Sequence, residues 1–163
     1  MEKVRRDQVA TYLDTAPSTT STWELLGIGI TSYGIAFNPQ ITTEKWIIHE
    51  NATSSHEGNQ KQGDVSQKIY KDDPCFEYVY GLMDKSGAEV ETHVLDVDMW
   101  NSVGTGTSAK FKARKSDCLI AITNYMAEEA VIEYSIYYNG DPVEGYVTIS
   151  EGVPTFTEGE MTE

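Results

Sequence analysis

Positive charge is scarce in this chain: 12 Lys and Arg stand against 26 Asp and Glu in 163 residues, a formal net charge of -14. Holding nucleic acid by phosphate neutralisation needs clustered cations that release counterions, so this balance excludes a conventional DNA or RNA binder. It is compatible with self-repulsion that keeps a protein soluble, and with a surface that sits beside nucleic acid and repels it. Long apolar runs are missing as well. Nothing approaches the roughly 18 residues of a membrane-spanning helix, and no membrane insertion is expected. The opening MEKVRRDQVATYLD carries basic residues without an apolar stretch behind them, so no ordinary secretory signal is expected there.

Cysteine is reduced to Cys75 and Cys118, far apart and without C-x-x-C spacing, which reads as two reduced, packed thiols. Recognisable catalytic patterns are absent. There is no G-x-S-x-G elbow. The glycine-containing VGTGTSAK at 103–110 lacks phosphate-loop spacing and reads as a flexible connection. His49-Glu50 and His56-Glu57 could supply metal ligands in principle but lack the H-E-x-x-H spacing, so neither a metal nor a cofactor is expected. Asp96 and Asp98 share one face of a strand, roughly 7 Å apart by strand rise. Without a third suitably spaced acid they read as part of a negatively charged sheet face rather than an acid-base pair. Asn51-Ala52-Thr53 fits the glycosylation acceptor pattern, which without secretion reads as accidental. No catalytic residue is assigned, and a non-enzymatic role is expected.

What the chain does have is ten Tyr, three Trp and repeated short β-like segments. Its length suits one domain, residues 1–163. Residues 1–22 read as an N-terminal arm, with TAPSTTST as an extended connector. Trp23 to Ala36 reads as one or two short strands with a bend, Asn38-Pro39 as a turn, and TTEKWII at 42–48 as a strand. From His49 to Lys68 the chain is polar, with Val65 as its one large apolar residue. This reads as a loop, and loops beyond roughly 12–15 residues are usually functional or disordered.

A helix is expected over 73–85, capped by Asp73, begun by Pro74, and striped by Phe76, Val79, Tyr80 and Met83. Strand-like segments follow at 88–100, 110–115, 118–125 and 129–138. Asn139-Gly140 reads as a hairpin turn that returns through GYVTIS, before an acidic, frayed tail at 157–163. Many short strands with one inserted helix predict a mainly β fold, a sandwich or barrel of antiparallel strands.

Three segments together resemble the tail tube (major tail) protein of long-tailed bacteriophages of the siphophage type: IAFNPQITTEKWIIHENA, IYKDDPCFEYVYGLMDK and YYNGDPVEGYVTISEGVPTFTEG. Shared are an Asn-Pro turn before a Lys-x-x-Ile strand, a polar arm, an Asp-Pro helix with aromatic spacing, and a closing NGDP hairpin that ends in GVPTFTEG. The resemblance implies a β-sandwich or barrel protomer of the virion tail, assembled in the host bacterial cytoplasm into stacked hexameric rings. DNA would pass through the hollow tube without specific binding. The implied partners are further copies of the chain and the tape measure, distal tail and tail terminator proteins.

Under that resemblance the polar segment becomes an inter-subunit assembly loop carrying His49, Glu50, Asn51, His56, Glu57, Lys61, Asp64 and Lys68, and deleting 51–66 is expected to leave a folded monomer. Candidate lumen-facing acids are Glu89, Glu91, Asp96, Asp98, Glu129 and Glu133. A close alternative is the inner tube of a contractile injection system or bacteriocin particle. Alternatives of other classes are a monomeric β-sandwich that binds carbohydrate through exposed Tyr and Trp, and a hydrolase using Asp96 and Asp98.

Overall fold

The computed structural model describes residues 1–162. The protein is mainly β and sandwich-like, with one short inserted α-helix. Eight strands form an antiparallel sheet in the order β2-β1-β7-β8-β9-β6-β3, with β10 paired to the second half of β9. They are β1 (Val9–Asp14), β2 (Trp23–Leu25), β3 (Ile35–Ala36), β6 (Gln62–Lys68), β7 (Glu91–Val103), β8 (Lys110–Met126), β9 (Val131–Ser150) and β10 (Val153–Glu158). Two further strands, β4 (Pro39–Glu44) and β5 (Thr53–Asn59), pair only with each other.

Two strands dominate: β8 runs 17 residues and β9 runs 20, against a usual length of about 5–6. Strands of that length carry enough twist to bend, and a bulge concentrates the bend. Lys115 pairs with Val143 while Asp117 pairs with Asn139, so Gly140, Asp141 and Pro142 of β9 stand against the single residue Ser116 of β8. Around this bulge the sheet changes which face it buries. On one side the even residues of β7 and β8 turn inward, and Val94, Cys118 and Ile120 join Leu13, Val65, Val79, Ile132, Tyr134 and Ile136 in the larger core. On the other side the odd residues turn inward, and Leu95, Val97, Ala113, Tyr12 and Val147 pack with Trp23 and Phe156.

The NGDP segment is therefore no hairpin turn. Both of its flanks pair with β8, and Pro142 is tolerated because the bulge asks it for no ladder hydrogen bond. The closing hairpin lies later, between β9 and β10. Its turn residues Glu151 (φ 52°) and Gly152 (φ 84°) both adopt the positive φ that a tight two-residue turn needs. The segments expected separately at 110–115 and 118–125 are one strand, and Thr157 and Glu158 of the expected frayed tail are paired in β10.

Helix α1 (Pro74–Tyr80) begins where expected: the Asp73 side chain accepts from the Cys75 amide at 3.3 Å. It ends five residues earlier than expected, and its inward face is Cys75, Val79 and, just beyond, Leu82. Tyr80 and Met83 of the expected stripe remain exposed.

The span expected as an N-terminal arm contains β1, which lies between β2 and β7 with Tyr12 and Leu13 buried. Asp14, fully buried at its end, accepts from the amides of Ala16 and Thr22, both at 3.0 Å, and lies 3.0 Å from His93 Nδ1. These bonds fold TAPSTTST back as the turn that sets β2 beside β1.

Candidate assembly site

The span expected as one polar loop at 49–68 contains β5 and β6, which lie in different sheets. Strand β6 belongs to the body of the protein. Gly63, Val65 and Gln67 point inward, between β9 and the short β3. Only Val65 announces that face as apolar. Gly63 has no side chain and lies under the Tyr33 ring. Gln67 is wholly buried, yet its amide donates to Asp73 at 2.7 Å and to the Ile28 carbonyl at 3.0 Å, while the Tyr134 hydroxyl donates to its Oε1 at 2.9 Å. A buried polar side chain with every bond made is tolerated in a core, and here it ties the helix cap to two strands.

Strand β5 is of the other kind. With β4 it forms a hairpin whose base is pinned where the Gln60 amide meets the Asn38 carbonyl (3.4 Å) and the Asn38 side chain donates to the Gln60 carbonyl (3.1 Å). From Ala36 to Gln60 every residue except Gly58 is exposed, on both faces of the ribbon. Six paired residues at about 3.3 Å each carry its tip about 20 Å outward. TTEKWII is not one strand, because β4 stops at Glu44. Trp46, Ile47 and Ile48 fall in the turn, with exposures of 62%, 104% and 76%. Trp46 stacks on His49, their ring centroids 5.7 Å apart.

The residues expected to form one assembly loop thus divide. His49, Glu50 and Asn51 lie at the hairpin tip, and His56 and Glu57 on β5, where His56 Nε2 is 3.2 Å from Asn59 Oδ1. Lys61 stands at the base with its ammonium 5.0 Å from the Phe37 ring centroid. Asp64 and Lys68 lie on β6, in the main sheet. Deleting 51–66 would remove five of the seven residues of β6, Val65 among them, so the clean excision is 39–59. Sequence reasoning missed Trp46, Ile47 and Ile48 as a tip. Their signal was three large apolar residues enclosed by Glu44, Lys45, His49 and Glu50.

The six acids expected to share one lumen-facing surface do not share one. Asp96 and Asp98 lie on the face of β7 that also carries Arg114, and Arg114 donates to Asp98 at 3.3 Å. Half-buried Asp96 accepts from Thr11 at 2.9 Å, and burial pushes its carboxyl above the usual range despite the hydrogen bonds it receives. Glu89 lies in a short 3-10 turn and Glu129 in the turn between β8 and β9.

Glu91 and Glu133, however, lie on the outer face of the sheet over the larger core. Register places two carboxylates with them that sequence reasoning did not group, Asp117 on β8 and Asp64 on β6. Asp64 accepts from the Ser135 hydroxyl at 2.6 Å and the Gln62 amide at 2.8 Å, and these bonds hold its carboxyl below the usual range. Four adjacent strands thus each contribute one acid to this face, with Lys115 and Lys68 at its margins and His93 Nε2 3.6 Å from Asp117.

Neither thiol is exposed. Cys75 and Cys118 are free and buried in the same core, and burial pushes both up to about 12. Among the described residues no group of three or more His, Cys, Asp or Glu is placed to hold a metal ion, and no helix is long and apolar enough to cross a membrane. No family model and no curated protein matches the chain.

Proposed function

We propose that this protein is a structural subunit that assembles with copies of itself into stacked hexameric rings, a hollow tube of the long-tailed phage kind, and catalyses no reaction. The observation that carries this reading is the β4–β5 hairpin. An isolated two-stranded ribbon is marginal in water, and this one holds three large apolar residues at its far end, away from either core of its own domain. Such a ribbon gains its stability from a neighbour. Rings and stacks require each subunit to offer two different complementary surfaces, and a projecting arm with an apolar end supplies one of them.

The acidic outer face of β6, β7, β8 and β9 supports the same reading. Duplex DNA carries one charge per roughly 1.7 Å of its axis, so a bore that must let it pass works best when it repels it. Glu91, Asp117, Glu133 and Asp64 are the candidates for that wall. The test is negative-stain electron microscopy of the concentrated protein, alone and with tail initiation proteins. Rings or hollow tubes are expected, and persistent monomers under both conditions overturn the reading.

A further inference from the structure

A groove of about 930 Å³ opens where the N-terminal segment, β1 and the loop after β2 meet, with Val4, Val9, Leu25, Leu26, Ile30 and Met99 among its lining residues. Several of these are large apolar side chains left in solvent: Val4, Val9 and Leu25 are 43%, 53% and 52% exposed. Tip and groove are both uncovered, so they do not meet within one chain. They complement each other in shape class, a convex apolar plug on a stalk and a concave apolar trough.

Charge points the same way. The tip is flanked by Glu44 and Glu50, with Lys45 as its one strong cation. The groove carries Arg5 and Arg6 on its rim. Asp7 pairs with Arg5 at 2.9 Å, while Arg6 donates to the Thr31 carbonyl at 2.8 Å and forms an ion pair with no carboxylate among the described residues. The rim is therefore net positive where the approaching arm is net negative, which favours encounter and fixes orientation.

We propose that Trp46, Ile47 and Ile48 of one subunit seat in this groove of a second copy, with Glu44 or Glu50 meeting Arg6, a step that rests on the self-assembly reading above. The contact is heterologous: each copy gives a tip and receives one, so it propagates rather than closing as a two-fold dimer. Aromatic and aliphatic anchors desolvated in a pocket carry most of the energy of such an interface. Trp46 is the residue whose loss matters most.

The test mixes two single variants of the full chain, Ile47→Cys and Leu25→Cys, at assembling concentration, and joins them with a short thiol-reactive linker. Cys75 and Cys118, buried and poorly ionised, react slowly and serve as the internal background. A linked 47–25 peptide in the digest is expected. Leu25→Arg, at a half-exposed site and checked by its thermal melt, is expected to raise the concentration needed for assembly about tenfold or more.

Tubes that form without the 47–25 link, and equally well with Leu25→Arg, overturn this docking while leaving the tube reading intact. Linked pairs without rings or tubes keep the docking and overturn the tube. Absence of both link and assembly overturns both.

Discussion

Asp14 shows how much one side chain can decide in this fold. Burial alone would raise its pKa, but hydrogen bonds from Ser21, the Ala16 amide, His93 and the Thr22 amide outweigh it and hold the carboxyl below the usual range. Asp14→Ala removes the acceptor from two backbone amides and an imidazole at once. A loss of about 3 kcal/mol is expected in urea unfolding at pH 7, from orphaned buried donors rather than lost packing. The sign of the pH dependence follows from the depressed value. Asp14 contributes stability above the unfolded-state value and loses it as the pH falls through the lower folded-state value. The stability gap between wild type and Asp14→Asn should therefore narrow below about pH 4, and a gap that widens there would contradict the assignment. At Gly29 the limit is steric: φ is 75°, and an added Cβ would run into the Lys68 carbonyl. Gly29→Ala is expected to cost more than about 1 kcal/mol, read as a lowered urea midpoint with unchanged slope.

At the scale of elements, legibility in the sequence followed how much of each element's burial is apolar. The N-terminus of α1 was legible because Asp73 and Pro74 signal it locally, and β9 began legibly because Ile132, Tyr134 and Ile136 alternate with more polar neighbours. Strand β6 was hidden because two of its three inward positions are Gly63 and Gln67, the first filled by Tyr33 and the second satisfied by Tyr134 and Asp73. Strand β5 could not be read at all, since TSSHEGN buries nothing and is ordered only by β4 opposite, as in the Thr43–Ser54 hydroxyl pair at 3.0 Å. The NGDP segment misled because local turn chemistry fits a bulge as well as a hairpin; only the pairing of both flanks with β8 separates them. The hairpin's independence makes it removable. Replacing residues 39–59 by a short glycine link between Asn38 and Gln60 deletes no core side chain. The shortened protein should melt within a few degrees of the full chain yet stay monomeric at concentrations where the full chain assembles. Loss of the cooperative melt would show that the ribbon supports the body of the protein; unchanged assembly would remove its proposed role.

The whole molecule joins an arm, a groove and a charged wall on one bent sheet, and the wall tests whether the bore was assigned to the right face. Glu91, Asp117, Glu133 and Asp64 sit on four neighbouring strands whose opposite faces fill the larger core, so replacing them does not open a cavity. Changing Glu91, Asp117 and Glu133 together to Lys adds six units of positive charge per subunit. That converts repulsion into attraction all along a tube, because each ring repeats the change and the walls of a narrow bore focus the field. Particles carrying the triple variant should form tubes of normal diameter, retain their DNA longer after triggering, and recover part of the lost ejection rate as salt screens the wall. The same exchange at Glu89 and Glu129, which lie in turns rather than on the four strands, should leave ejection unchanged. Slowed ejection from the Glu89 and Glu129 variant but not from the triple variant would place the bore elsewhere, while slowing that does not respond to salt would point to an obstruction other than electrostatic attraction.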